Sequence, residues 1–476
     1  MSLSNRLIGI RTAVKFLGEF RRSQATHTMS PEELQAFQWK RTEQLLAHAY
    51  RHVPFYRRRF EAAGVRPADI RTPADLAKLP PLSKADIQQH RPEMVADNVK
   101  GDLYDTCSSG STGEPTIVHW DRDTVIRHHA VFLRNLVDCG YRIGERLPQI
   151  SGHRSVLEHP ERIRKGYEKP VGGTLADQIN LFSTAIIPLV MLSVFEMTDE
   201  LMGEFAAWLR REQPSILSGY TIATDLFAQY LQRKGIDDIR PQGVVITAEA
   251  PMPGTLERLR EVFGCPVYNR YATNEIGGIA HACCHPDVNP SQTHVNQEAV
   301  LVEITRDGEP VADGETGRVL VTDLLNFAMP LVRYDLLDNA TRLPERCPCG
   351  LPSEVLTPVD GRVDEFFLLP DDRLINAAFF RNVFHSNPGI VRYQVIQDVR
   401  EKIEIKIIKD DDRFDQRGFE ESRRMIRDHL GADVTTDIEF VDHIEREAGG
   451  KFRYTVSRVY RQSLAAASRE PEEALA

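Results

Sequence analysis

No apolar run in this chain is long enough to cross a bilayer. The longest, Ala185 to Phe195, is interrupted by Pro188, so it reads as buried core and no transmembrane helix is expected. Basic charge is also in deficit. The formal net charge is −10, with 59 Lys and Arg against 69 Asp and Glu, which argues against a nucleic-acid partner because such proteins carry a basic face for phosphate. Any anionic ligand must therefore meet local donors. The N-terminus lacks the uninterrupted apolar segment of a secretory signal; Arg6, Arg11, Lys15, Arg21 and Arg22 are spread through apolar residues in the manner of an amphipathic helix. Cysteines number seven in 476 residues, an odd and sparse set that disfavours a disulfide framework and points to a reducing, cytoplasmic setting. No internal repeat or low-complexity tract is present, which excludes solenoid and fibrous architectures.

What is there suits a large globular protein: 41% hydrophobic and 27% charged residues, and length enough for two or more domains. Ser30-Pro31-Glu32-Glu33 supplies an N-cap, a first-turn proline and a capping-box glutamate, and Thr72 to Asp75 and Ser83 to Asp86 repeat the spacing. The first hundred residues therefore read as mostly helical. From about 115 to 340 apolar β-rich runs alternate with helical patterns, as in Gly243 to Ile246, Thr255 to Phe263 and Pro266 to Tyr268, which is βαβ character. Ala299 to Ile304 and Gly317 to Val321 predict strands of a sheet-rich subdomain. After Asp364 the pattern is compact: strands at Val391 to Gln397, Lys402 to Ile408 and Thr435 to Val441, with a helix from Phe414 to Leu430. The expected organisation is α/β, with a large domain over 1–363 and a small α+β domain over 364–476.

One run concentrates hydroxyls and glycines. Within Thr106 to Thr116, Gly110 and Gly113 permit backbone conformations closed to residues with a Cβ, so successive N–H groups can converge on an anion. Ser108, Ser109, Ser111 and Thr112 add hydroxyl donors, and the run reads as a phosphate cradle.

In sequence order this run is followed by Thr247-Ala248-Glu249-Ala250, Tyr271-Ala272-Thr273-Asn274-Glu275, Gly317 to Asp338, Gly361-Arg362-Val363-Asp364-Glu365 and Gly449-Gly450-Lys451. With these motifs the chain resembles the adenylate-forming ligase superfamily, in its phenylacetate–CoA ligase-like branch with capsule-biosynthesis-type relatives, from about Leu45 to Val459. The resemblance implies a large adenylation domain and a small mobile C-terminal domain. It implies that Ser108 to Gly113 grip the β- and γ-phosphates of ATP, that Ala248 and Glu249 line the adenine, and that Tyr271, Asn274 and Glu275 serve the α-phosphate. Glu275 would hold Mg²⁺, a hard cation suited to carboxylate oxygen. Asp338 would accept from both ribose hydroxyls, Arg362 would contact the nucleotide, and Asp364 would be the hinge. Lys451 would neutralise charge at phosphorus as the acid attacks. Two residues depart from the usual pattern: Glu114 stands where a lysine is common, and Asn274 where a threonine is.

The implied activity is ATP-dependent conversion of a carboxylic acid to acyl-AMP with release of pyrophosphate, then transfer to a thiol, with coenzyme A the expected acceptor. Phe366 to Leu374 contains no glycine, unlike the pantetheine-lining segment of CoA ligases in this branch, so an amine or a carrier-protein thiol stays open as acceptor. A nucleotide-binding sensor without catalysis is the reading from another class. The acid is not identified, although Ser218-Gly219-Tyr220 and His153 are candidates for its pocket. The oligomeric state is left open between monomer and homodimer. Finally, Cys347-Pro348-Cys349-Gly350 forms a knuckle, and Cys283, Cys284, His285 and His294 lie some sixty residues earlier. Thiolate and imidazole suit a tetrahedral structural Zn²⁺, with Cys347 and Cys349 as ligands and the remainder unassigned.

Overall fold

The computed structural model describes residues 3–107, 116–151, 187–194, 197–248, 251, 254–283, 292–357, 366–371, 373–376, 378–385, 387, 389–444 and 455–459. They form two compact units, the first from residues 1–108 and 116–362, the second from the chain after 362.

The first unit begins with helices. α1 (Leu3–Ala25), α2 (Pro31–His52), α3 (Pro54–Ala62) and α4 (Lys84–Met94) follow the capping signals: Ser30 Oγ accepts from the Glu33 N–H and Ser83 Oγ from the Asp86 N–H, each carboxylate reaching back to the cap N–H. α2 buries Leu34, Gln38, Thr42, Leu45, Leu46 and Ala49, one stripe at helical spacing. The strands β1 (Leu103–Cys107) and β2 (Ile117–Asp121) then pair antiparallel with Cys107 opposite Ile117. Thr106 and Cys107, read from sequence as the start of a loop, thus complete a strand. Their pairing with Val118 and Ile117 outweighs the local turn propensity of the serines and glycines that follow.

After α5 (Arg122–Asp138) come β3 (Leu147–Ser151) and β4 (Leu189–Ser193). From there strands and helices alternate: α6 (Asp199–Glu212), β5 (Ile216–Tyr220), α7 (Thr221–Lys234), β6 (Gly243–Thr247), α8 (Thr255–Phe263) and β7 (Val267–Thr273). β4, β3, β5, β6 and β7 lie parallel in that spatial order, as crossover helices require. The Ala185 to Phe195 run supplies β4, whose Val190, Met191 and Leu192 are buried as expected.

The same sheet is extended antiparallel by β8 (Gly277–Ala282), β9 (Thr293–Val295) and, later in the chain, β14 (Val355–Leu356). A separate antiparallel sheet orders as β11-β10-β12-β13, from β10 (Val300–Arg306), β11 (Glu309–Pro310), β12 (Thr316–Asp323) and β13 (Tyr334–Thr341). This is the sheet-rich part anticipated from the 299–321 pattern.

The second unit is α+β. β15 (Phe366–Leu368) and β16 (Leu374–Asn376) form a hairpin, and α9 (Ala378–His385) follows. β17 (Ile390–Val399), β18 (Lys402–Lys409), β19 (Thr435–Phe440) and β20 (Thr455–Ser457) make one sheet ordered β19-β18-β17-β20. α10 (Gln416–Leu430) buries Phe419, Ser422, Ile426 and Leu430 at helical spacing, and β18 alternates with Ile403, Ile405 and Ile407 inward.

His429 on α10 stacks on Phe379 at 4.1 Å. Burial, and then the Arg373 guanidinium, lower its imidazole from 6.5 to about 4. The unfolded chain takes a proton near pH 6.5 that the folded unit refuses until about pH 4. Stability from this group is therefore complete above pH 6.5 and is lost as pH falls towards 4, by at most about 3 kcal/mol. His429→Phe is expected to lose less thermal midpoint than the parent between neutral pH and about pH 4.5. Parallel losses in the two proteins would refute this.

Candidate active site

Among the described residues of the first unit, the sites proposed from sequence lie on elements far apart in the chain that hydrogen bonds join. At the end of β1, Thr106 Oγ1 donates to the Asn274 carbonyl at 2.5 Å, fixing the stem of the Ser108–Gly113 segment to the segment carrying Glu275. Trp120 on β2 donates its indole N–H to the Glu275 carbonyl at 3.3 Å. The carboxyl ends of the parallel strands are laced together: Thr221 Oγ1 donates to the Thr247 carbonyl at 3.1 Å and Thr247 Oγ1 to the Arg270 carbonyl at 2.9 Å. Ligands of open α/β sheets bind in the crevice outside such strand ends. Ala248, next after β6, has φ of +77°, in the left-handed region that is costly for a residue with a Cβ.

Glu275 is 4% exposed, and its Oε1 accepts from the Tyr334 hydroxyl at 3.1 Å and lies 4.0 Å from Lys84 Nζ. A carboxylate is kept in a buried position only with such partners, because desolvation penalises an isolated charge. Tyr271 donates its hydroxyl to Asp338 Oδ2 at 2.7 Å. Burial, followed by the neighbouring Asp338 charge, pushes the Tyr271 phenol well above its ordinary range, so it stays a donor and holds the Asp338 carboxylate in place. Two carboxylates are thereby presented from β13 and from the turn between β7 and β8. Asp338 is acceptor-only, as binding of a diol requires, and Glu275 offers the hard oxygen that suits Mg²⁺. Mg²⁺ held by Glu275 would supply charge neutralisation beside phosphate oxygens.

Comparison with known proteins gives the frame for this geometry. Residues 367–458 match the CapK C-terminal domain. A phenylacetate–coenzyme A ligase of Thermus thermophilus is 25% identical over 458 residues, covering 90% of this chain and 97% of that one. The phenylacetate–coenzyme A ligase of Escherichia coli is 28% identical over 326 residues, covering 67% and 69%. Over most of its length the chain is similar to phenylacetate–CoA ligases, and over residues 367–458 to CapK. It is an AMP-forming ligase. A 2-hydroxyisobutyryl-CoA ligase solved with its acyl adenylate and CoA shares the fold at TM-score 0.61 and 17% identity, over 94% of each chain.

In this ligase the sequence reading placed Glu275, Tyr271, Asn274 and Asp338 in one site, and the chain brings the segments of all four together. Asn274 contributes its carbonyl to Thr106, while its side chain is exposed. Ser108, Ser109, Gly110, Ser111, Thr112, Gly113, Glu114, His153, Glu249, Cys284, His285, Arg362, Asp364 and Lys451 lie outside the described residues. Ser218 is 4% exposed, and a Cβ at Gly219 would come within 2.3 Å of Thr224 Oγ1, so close packing accounts for the glycine.

Two supporting residues escaped the sequence reading. Lys84 is visible there only as the residue after an N-cap, and Tyr334 only as one residue within the Gly317 to Asp338 span. Nothing local in either signals that they meet Glu275. Arg333, in the ribose-motif segment, has φ of +55° and is 1% exposed. It donates to Glu303 at 3.0 and 3.2 Å, to the Leu79 carbonyl and to the Gly308 carbonyl, so it clamps the helical lead-in to β10 and β13.

A second polar centre lies around Arg134 on α5. Its guanidinium donates to Ser23 Oγ at 3.2 Å, His27 Nε2 at 2.7 Å, Asp138 at 3.2 Å and Asn296 Oδ1 at 2.9 Å, and it pairs with Glu298. Burial and then Arg134 lower the His27 imidazole to about 4, which leaves it a neutral acceptor for the guanidinium. Beside it stand Cys283, just after β8, His294 on β9, and Cys347 and Cys349 between β13 and β14. Of the cysteines and histidines proposed from sequence as metal ligands, these four are the ones the described structure gathers.

Proposed function

We propose that this ligase uses ATP to activate a carboxylic acid as acyl-AMP, releasing pyrophosphate, and then passes the acyl group to the thiol of coenzyme A. The reading is carried by the convergence of Glu275, held by Tyr334 and Lys84, with the Tyr271–Asp338 pair beside the stem of the serine- and glycine-rich segment. In the first half-reaction an oxygen of the substrate carboxylate bonds to the α-phosphorus, and the bond to the pyrophosphate oxygen breaks. In the second, the thiol sulfur bonds to the acyl carbon, AMP leaves with the acyl–oxygen electron pair, and the thiol proton passes to solvent. Asp338 would position the nucleotide through its ribose, and Glu275 would hold Mg²⁺, whose charge would neutralise the phosphates.

The test is acid-dependent exchange of labelled pyrophosphate into ATP across an acid panel, followed by product analysis with CoA. Exchange without thioester would move the acceptor elsewhere, and no exchange with any acid would remove the proposed activity. Glu275→Gln retains an acceptor for Tyr334 but loses the charge. It is expected to slow exchange by about 10²-fold or more and to raise the Mg²⁺ concentration needed for half-maximal rate. An unchanged Mg²⁺ dependence would detach Glu275 from the metal.

A second reading, transfer to an amine or to a carrier-protein thiol, is favoured by one observation. The match to the CapK C-terminal domain starts at residue 367, within the glycine-free Phe366 to Leu374 segment. Amide or carrier-bound product with CoA inactive would select it.

A further inference from the structure

One atom each from Cys283, His294, Cys347 and Cys349 lies within 4.8 Å of the others. We infer that these four side chains hold a structural zinc ion in a closed site of three thiolates and one imidazole. Zinc–sulfur bonds of about 2.3 Å in a tetrahedron place sulfurs about 3.8 Å apart. Cys283 and Cys347 Sγ are 3.4 Å apart, and Cys349 Sγ is 3.3 Å from His294 Nε2. That is the scale of a shared ion and much longer than the ~2.05 Å of a sulfur–sulfur bond.

The surroundings fit the same assignment. His294 directs Nδ1 to Ser353 Oγ at 3.1 Å, which turns Nε2 to the sulfurs and fixes the ring as an outer partner of a metal ligand does. The Leu351 N–H donates to Cys349 Sγ at 3.4 Å, a contact that stabilises thiolate. Packing alone does not account for the cluster. Cys139 is 5% exposed in an apolar cluster with Leu136 and Tyr141, the ordinary packing of a cysteine side chain in a core. Cys347 and Cys349 are only partly buried, in a turn flanked by Arg346 and Gly350.

The ligands come from three chain segments, so the ion would offset the entropy of closing the connection between β13 and β14 onto the edge of the eight-stranded sheet. On binding, each thiol proton leaves to solvent. With four protein ligands the shell is full, and no position is left for substrate. The role is mechanical: the ion secures the end of β8, the strand that follows Glu275.

The inference is tested on the full chain by metal analysis, and its outcome is separable from the proposed ligase activity. One zinc per chain is expected in the wild type and in Cys265→Ser. Less than about a tenth of that is expected in Cys347→Ser/Cys349→Ser. Cobalt exchanged into the wild type should give sulfur-to-cobalt charge-transfer absorption and a tetrahedral ligand-field spectrum. If the double variant fails to fold, thiol counting on the native wild type decides. Three thiols protected until zinc is removed by chelation support the site. Native protein purified under zinc-replete, reducing conditions overturns it if metal-free with all three thiols reactive, and so does a folded double variant that retains full zinc.

Discussion

Replacing Lys451 by alanine is expected to slow acyl-AMP formation by about 10²–10³-fold while thioester formation from supplied acyl-AMP persists. The cause is charge. As the carboxylate attacks, the phosphorus carries two oxygens in transit and the leaving pyrophosphate gains charge. A lysine on a long stem behind Gly449-Gly450 is a mobile cation suited to that moment. In thioester formation the electrophile is the acyl carbon and the leaving group is AMP, so the same cation has no corresponding role. Pyrophosphate exchange reports the first half-reaction alone, and product formation from acyl-AMP and CoA reports the second. Equal loss of both would show that Lys451 acts on folding or on nucleotide binding in general. Lys451→Arg retains the charge but spreads it over a planar fork, and partial recovery is expected from it.

Arg134→Leu is expected to destabilise the first unit by about 3–5 kcal/mol, because it leaves the buried Glu298 charge without its counterion. Arg134 is 2% exposed and Glu298 4%, and Ser23 donates to the same Glu298 oxygen at 2.7 Å. Burial acts to raise the Glu298 carboxyl, and the guanidinium with the Ser23 hydroxyl more than offsets it, leaving the group below its ordinary value. Without the guanidinium, the desolvation penalty is opposed only by the Ser23 hydroxyl and a backbone hydrogen bond. The loss also removes the hydrogen bonds that the guanidinium makes with Ser23 of α1 and with His27 just after it. Denaturant unfolding of Arg134→Leu and of Arg134→Leu/Glu298→Leu measures this. The double variant should recover much of the loss, as apolar replacement of a whole buried pair often does. A double variant as unstable as the sum of two independent losses would mean that the pair is not the source.

The local reading reached the elements with strong periodicity and the residues inside recognisable motifs. The capping boxes at Ser30 and Ser83, the helix Thr255 to Phe263 and the strand–strand–helix–strand order of the second unit were legible because each depends on neighbours within a few residues. Glu275, Tyr271 and Asp338 were legible because their chemistry is carried by type and order. Tyr334 and Lys84 were not. Each is an ordinary residue until Glu275, 59 and about 190 positions away, is brought to it.

Sequence by itself determined the composition class, the α/β order and the residue types and order of the candidate motifs, since these follow from residue type and short-range spacing. Only the tertiary structure decided which groups meet. It set the antiparallel strands β8, β9 and β14 at the edge of a parallel sheet, turned Arg333 from a motif residue into an internal clamp, and, among the described residues, gathered His294 with Cys283, Cys347 and Cys349. Pairing across tens to hundreds of residues depends on the summed packing of whole sheets and helices, and no local window contains that sum.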